Sequence, residues 1–222
     1  MNHTRKAYLL AGIFFALCAI NALLTDVSAL YAYGQAAASM PNVQPIPGFW
    51  RHMLFTTLTS TAPLLLLMLY CFFLHRTKAA PWVYCIAFCL LMAHSVSNLA
   101  QHFQMTSISL LSVCTVGLFL LFCIAMVLWK LLRTKALAII SGILLGAYLL
   151  LSLWQQTNSF VQSAKLMVQV PSERIMVLLM YLPIFCYWVA YALLWQAEAR
   201  DSACVADTPS NPSGSFPFHK ES

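Results

Sequence analysis

Arg133-Thr134-Lys135-Ala136 lies between two long apolar segments, and Arg76-Thr77-Lys78-Ala79 repeats this pattern earlier in the chain. A third basic motif, Arg5-Lys6-Ala7, precedes the first apolar segment. Each motif is followed by two apolar segments of about the 20 residues that a helix needs to cross a bilayer. The sequence therefore predicts three transmembrane hairpins placed end to end.

The composition excludes a soluble fold. The 222 residues are 61% hydrophobic and only 8% charged, whereas a soluble domain is about 25% charged. The apolar residues run continuously instead of alternating, which favours helices over a barrel. We predict an all-α polytopic membrane protein with two parts. These are a six-helix domain over residues 1–196, with spans at about 7–30, 52–75, 81–102, 108–131, 136–155 and 173–196, and a disordered tail over 197–222.

The positive charges indicate topology. The net charge of +6 could suggest nucleic acid, but the cations fall at the ends of the predicted spans, so we predict no nucleic-acid partner. Arg51, Lys165 and Arg174 lie on one side of the membrane. The other nine lie on the opposite side: Arg5, Lys6, Arg76, Lys78, Lys130, Arg133, Lys135, Arg200 and Lys220. The positive-inside rule then places both termini in the cytoplasm.

The first apolar segment is longer than the 7–15-residue core of a signal peptide, so we expect it to remain as a span. The cysteines indicate neither disulfides nor a metal site. Seven of the eight fall inside predicted spans, and Cys204 lies in the tail. Cys85 and Cys89 share a helix face, but no Cys/His pair completes a tetrahedral site. We interpret the cysteines as small packing residues and predict no cofactor.

Polar residues recur at one depth in the odd-numbered spans. Counted from Lys6, Lys78 and Lys135, the twentieth residue onward is Asp26, Asn98 and Gln155. Twenty residues of helix rise about 30 Å, the thickness of the hydrocarbon layer. Any well-built hairpin places polar groups there, so an internal repeat and simple interfacial placement both fit.

Most polar residues within the spans lie in the outer half, above apolar inner halves. Polar groups in hydrocarbon need partners, so they should face one another. This predicts an outward-facing polar vestibule over an apolar floor, lined by Asp26, His52, His94, Asn98, Gln101 and Gln155. The serines and threonines fit interhelical hydrogen bonding equally well.

His94 is the deepest of these candidates, and an ionisable group inside a span is a site hypothesis by default. A hydrogen-bonded packing role is the alternative. Asp26 is either hydrated near the interface or paired with Arg51 or His52.

Pro63 and Pro183 lie inside even-numbered spans and are the predicted hinges, whereas close helix packing explains Gly117. Residues 155–172 are predicted as an outward loop containing a short amphipathic surface helix.

No catalytic motif is present, so we predict no catalytic residues. The leading hypothesis is a membrane protein, not an enzyme, that binds or passes a small ligand through the vestibule. One alternative is an accessory or assembly subunit with another membrane protein as partner. The other is a membrane redox protein that uses haem or a quinone, although His94 has no evident second ligand for haem.

The first hairpin resembles an uncharacterised bacterial family of small integral membrane proteins. The resemblance rests on Leu24-Thr25-Asp26, Tyr31-Ala32-Tyr33 with Gln35, Ser39-Met40 and Trp50-Arg51, and it covers about a quarter of the chain. It implies a bacterial inner-membrane location and draws attention to Asp26, but implies no activity. Members have four spans, so the six predicted here depart from the pattern.

Overall fold

The part of the chain that the structure describes forms six long helices and one π-helical turn. A computed structural model describes the backbone of residues 2–39, 49–105, 110–166 and 171–206, and the side chains of 4–35, 49–51, 53–100, 110–159, 161 and 181–203. In chain order the helices are α1 (Asn2–Ser39), α2 (Phe49–Leu69), α3 (Ala80–Met105), α4 (Leu110–Leu132), α5 (Lys135–Leu166) and α6 (Pro171–Ala206). The π-helical turn Tyr70–Leu74 extends α2.

The helices form a closed ring of antiparallel neighbours. Each packs against the next in sequence, and α6 returns to pack along α1, the most extensive helix pair. Paired side chains show the antiparallel direction, as in Thr59 with His94 between α2 and α3 and Phe15 with Tyr191 between α1 and α6. The basic motifs therefore lie at one end of the ring, which we call the basic end.

The outer surface of this ring is apolar. Large aliphatic side chains are exposed along its length, including Leu17, Leu54, Ile86, Ile143 and Leu150. Such a surface is stable in lipid and is an aggregation hazard in water. Five to six of the described helices are long and apolar enough to span a membrane. These findings support the prediction of an all-helical membrane protein.

Three helices extend well beyond the predicted spans. α1, predicted to end at about residue 30, continues to Ser39. α5 continues to Leu166, so the residues predicted as a separate surface helix prolong α5 instead. α6 continues to Ala206, and Ala197 and Glu198, assigned by sequence to the tail, are buried. The remainder of the predicted tail, residues 207–222, lies outside the described residues.

The basic motifs form tight connections. Residues 75–79 turn between the π-helical segment and α3, where the Thr77 amide donates to the Leu74 carbonyl at 2.9 Å. Arg133 ends α4 in the left-handed region, with φ 52°. A residue other than glycine pays a steric penalty there because its Cβ crowds the backbone. Arg133 therefore ends the helix at some cost in backbone strain.

Aromatic side chains fill the middle of the ring. Tyr191 of α6 contacts Phe15, Phe119 and Phe122, with ring centroids 5.6–6.0 Å apart. Phe122 also meets Phe88 at 6.3 Å. These separations are typical of favourable aromatic pairs. The rings join α1, α3, α4 and α6 across the bundle, so side chains and not a central helix form the core.

The prediction that Gly117 allows close packing of two helices is wrong. A Cβ added to Gly117 would meet nothing within 4 Å. The close approach is instead at Gly142, where an added Cβ would lie 2.6 Å from Cζ2 of Trp195. That indole is fixed, since its Nε1 donates to the Ala138 carbonyl at 3.2 Å and to the Ser141 hydroxyl at 3.1 Å. Gly142 therefore sets the spacing of α5 and α6.

Replacing Gly142 by alanine is expected to lower the free energy of unfolding by about 1–3 kcal/mol, because the methyl group overpacks against an anchored indole. Gly146→Ala is the matched control, since an added Cβ there meets nothing within 4 Å. It should be neutral or slightly stabilising through helix propensity. Equilibrium unfolding in mixed micelles measures both. Equal stability of the two variants would contradict this packing.

Candidate ligand-binding cavity

A cavity of about 390 Å³ lies in the half of the ring away from the basic end. We call it the His94 cavity. Its polar wall consists of Ser60, His94, Ser95, Thr115, Ser152, Gln155 and Gln156. Its aromatic wall consists of Phe119, Tyr148, Tyr187, Trp188 and Tyr191. Ligand sites of this size combine apolar walls with a few orienting polar groups.

Hydrogen bonds determine the tautomer of His94. The Thr59 hydroxyl donates to the Phe55 carbonyl at 2.8 Å, so it accepts from His94 Nδ1 at 3.2 Å. Nε2 is then the acceptor for the Asn98 amide at 2.9 Å. The imidazole is neutral in this arrangement, and both of its nitrogens are occupied by the protein. His94 therefore shapes the cavity wall and Asn98 orients it.

Gln155 joins α5 to α4 in the wall of the His94 cavity. Its amide nitrogen donates to the Ser112 hydroxyl at 3.2 Å, and its carbonyl oxygen accepts from Thr115 at 3.2 Å. Such interhelical bonds in membrane helices contribute about 0.6–2 kcal/mol each. Gln155 therefore positions two helices and presents its remaining surface to the cavity.

Asp26 lies near the cavity without lining it. It is half-buried and acts electrostatically on His94 and Tyr187. Its Oδ2 is buried and has no hydrogen-bond partner among the described residues. Among the described residues, Asp26 does not form the predicted ion pair with Arg51. The side chains of His52 and Gln101 lie outside the described residues.

Several hydroxyls bond within their own helices. Thr25 donates to the Asn21 carbonyl at 2.9 Å, Ser95 to Leu91 at 3.0 Å and Thr157 to Leu153 at 2.8 Å. This back-bonding satisfies a hydroxyl in lipid without a partner helix. These side chains therefore need no ligand to explain their presence in a span.

Trp188 belongs to the aromatic wall of the cavity, which sequence reasoning missed. Its side chain is buried, and its Nε1–H has no hydrogen-bond partner among the described residues. The Tyr148 hydroxyl approaches it without meeting hydrogen-bond geometry. A buried indole N–H usually finds an acceptor. Trp188 therefore places a donor in the cavity wall that remains available to a ligand.

A second polar group lies at the basic end, where an apolar floor was predicted. Lys130 Nζ is 2.7 Å from Glu198 Oε2 and donates to the Tyr70 hydroxyl at 2.5 Å. Tyr70 in turn donates to Glu198 Oε1. The Lys130 and Glu198 side chains are only 10% and 6% exposed. The floor is therefore not wholly apolar, and we call these three residues the ion-pair cluster.

The ion-pair cluster adjoins a cavity of about 260 Å³, the basic-end cavity, which Tyr84, Trp129, Arg133 and Asp201 help to line. The Lys130 ammonium also lies 5.1 Å from the Tyr70 ring centroid and 5.5 Å from that of Tyr84. Cation–π contacts of this kind stabilise a desolvated ammonium.

A stacked pair closes the basic end beside the ion-pair cluster. The rings of Tyr8 and His75 are 4.5 Å apart. Burial lowers the pKa of His75, and the charge of Arg76 acts in the same direction. The neutral imidazole therefore predominates at neutral pH and can stack on the phenol without bringing a further charge to this end.

Sequence signals for the ion-pair cluster existed. Lys130 is the penultimate residue of the predicted fourth span, where a lysine either pairs with a buried carboxylate or extends to the interface. Glu198 lies just beyond the predicted end of the sixth span, at residue 196. Trp188 carried no comparable signal, because an indole in a membrane helix equally suits the lipid interface.

Within the described residues, no group of three His, Cys, Asp or Glu side chains is placed to hold a metal ion. Comparisons of the chain with protein-family models, curated proteins and solved structures found no match.

Proposed function

We propose that this membrane protein binds a small, flat, neutral molecule with hydrogen-bond acceptors in the His94 cavity. The carrying observation is the unpartnered Nε1–H of the buried Trp188 in the wall of a 390 Å³ cavity. A ligand with an acceptor for this donor binds more tightly, whereas a ligand that leaves the donor unpaired binds more weakly.

The character of the walls supports a neutral ligand. Among the described lining residues none is acidic or a lysine or arginine, and His94 is neutral in its hydrogen-bonded form. A charged ligand would enter without a counter-charge and lose its hydration. The Tyr148, Tyr187 and Trp188 rings offer stacking surfaces instead. Flat aromatic molecules bearing carbonyl groups suit both walls.

The proposal includes six spans, with the basic end facing the cytoplasm and the His94 cavity opening toward the outer side. The clustering of cations around the turns at Arg76 and Arg133 supports it through the positive-inside rule. The bacterial inner membrane, implied by the resemblance of the first hairpin, is the proposed location.

Duroquinone is a suitable probe because its ring is flat and neutral and carries two carbonyl acceptors. Durene has the same ring and methyl groups without carbonyls. At about 100 times its Kd, duroquinone should stabilise the protein by about 2.7 kcal/mol and raise the Tm by roughly 5–10 °C. Durene should not, because it leaves the Trp188 donor unpaired.

Trp188→Phe tests the donor directly, since it keeps an aromatic ring and removes the N–H. This variant should lose most of the duroquinone shift. Trp154→Phe is the matched control, because Trp154 is 64% exposed on the outer surface, and it should keep the full shift. Equal shifts with durene, or an undiminished shift in Trp188→Phe, would contradict the proposal.

A further inference from the structure

Two cavities lie at opposite ends of the same ring. Phe119 and Tyr191 line the His94 cavity, whereas Tyr84 and Met126 line the basic-end cavity. Between them, Phe122 contacts both Phe119 and Tyr191, and it lies one turn from Met126 on α4. Side chains, not helix backbone, therefore separate the cavities.

A continuous line of rings runs from one cavity to the other. Tyr70 contacts Tyr84 at 5.1 Å, Tyr84 contacts Phe88 at 4.7 Å, and Phe88 contacts Phe122 at 6.3 Å. Phe119 completes the line to Tyr148 at 5.1 Å. A flat molecule that moved from the His94 cavity to the basic-end cavity would contact aromatic rings along the whole path.

The ion-pair cluster closes the basic end of this line. Its members come from the π-helical turn, α4 and α6, which are not neighbours in the ring. Their mutual bonds therefore cross the bundle and hold three separate segments together. A π-helical turn is itself a rare local structure, frequent at functional sites. Here it carries the Tyr70 hydroxyl, which bonds to both Lys130 and Glu198.

Stability alone does not explain the choice of charges. Well-packed apolar residues of similar volume hold such a position at least as well, because two buried ions must first be desolvated. An ion pair differs in having two favourable states, paired when dry and hydrated when open. That bistability is the property that a gate requires.

We propose that Tyr70, Lys130 and Glu198 form the gate of a passage that connects the His94 cavity with the basic-end cavity. The passage rests on the proposed ligand binding in the His94 cavity and extends it to movement across the bundle. Opening separates Glu198 from Lys130 and Tyr70 and admits water to the basic-end cavity. The line of aromatic rings then becomes accessible from the basic end. The predicted proline hinges are not needed for this step.

Two native cysteines offer a test of the gate, because Cys71 lies near Glu198 and Lys130, and Cys123 lies near Tyr84. Cys71 follows Tyr70 and is buried, and Cys123 is buried beside Phe122. Cys18 is a third buried cysteine, on α1. The hydrophilic reagent 2-sulfonatoethyl methanethiosulfonate, applied to the full chain in nanodiscs, should modify all three slowly. Peptide mass spectrometry measures the rate at each cysteine separately.

Glu198→Gln keeps the volume and removes the charge, so it should favour the open state. Modification of Cys71 and Cys123 should accelerate by roughly tenfold or more, the change that about 1.4 kcal/mol makes in an equilibrium constant, while Cys18 keeps its rate. Tyr70→Phe preserves the ion pair and should accelerate both sites by a smaller factor. It also serves if Glu198→Gln does not fold.

Unchanged rates at Cys123 in both variants would overturn the gate. Equal acceleration at all three cysteines would overturn it too, because it would indicate general unfolding. Duroquinone separates this proposal from the first: Glu198→Gln should keep the thermal shift of the parent protein. If duroquinone does not raise the Tm of the parent protein, ligand binding in the His94 cavity is refuted, whatever the cysteine rates show.

Discussion

Lys130→Met is expected to lower the free energy of unfolding by about 3–5 kcal/mol, because it leaves the Glu198 carboxylate buried without its counter-charge. Glu198 is 6% exposed, and the neutral Tyr70 hydroxyl that still donates to it carries no compensating charge. The loss of an exposed ion pair would cost only about 0–1 kcal/mol. Unfolding by SDS in mixed micelles, followed by circular dichroism, measures the change.

Two variants make this result specific. Lys135→Met removes an exposed cation at the start of α5 and should change the stability by less than about 0.5 kcal/mol. The double variant Lys130→Met with Glu198→Met replaces the pair by apolar side chains of similar length and should recover most of the loss. A double variant as unstable as Lys130→Met would show that packing around position 130, and not the unpaired carboxylate, controls stability.

Phe122→Ala is expected to cost about 3–5 kcal/mol, the range for truncating a fully buried aromatic ring. The Phe122 side chain has no exposed surface and contacts Phe88, Phe119 and Tyr191. Its loss leaves a void between α3, α4 and α6 that surrounding rings fill only in part. The same unfolding assay applies.

The neighbouring Leu121 supplies the control. It is 53% exposed on the outer surface, so Leu121→Ala exchanges one lipid contact for another and should change the stability by less than about 1 kcal/mol. Similar losses for the two variants would contradict the assignment of α4's inner and outer faces.

Much of the fold follows from the sequence because lipid permits few alternatives. Continuous apolar segments separated by Arg76-Thr77-Lys78 and Arg133-Thr134-Lys135 predict helical hairpins, and the described helices agree. Helix ends are less predictable, since composition changes gradually beyond the membrane. α6 therefore continues past residue 196, and Glu198 belongs to the bundle instead of the tail.

The sequence could predict only the depth in the membrane at which the candidate site lies. His94 and Gln155 line one cavity, because His94 lies one helical turn from Asn98, which has the same predicted depth as Gln155. Which groups remain available to a ligand depends on contacts between distant residues. His94 is occupied by Thr59 and Asn98, whereas Trp188 is not occupied by Tyr148, and no periodicity in the sequence reports either fact. The contrast between Gly117 and Gly142 has the same origin, since the decisive neighbour is Trp195.

A density map of the protein in nanodiscs with duroquinone tests the His94 cavity most directly. We predict a flat ring among Tyr148, Tyr187 and Trp188, with one carbonyl oxygen at about 2.7–3.2 Å from Trp188 Nε1. Lipid tails filling this cavity, or the ring bound elsewhere with Trp188 Nε1 still unpaired, would contradict a ligand site built around that indole.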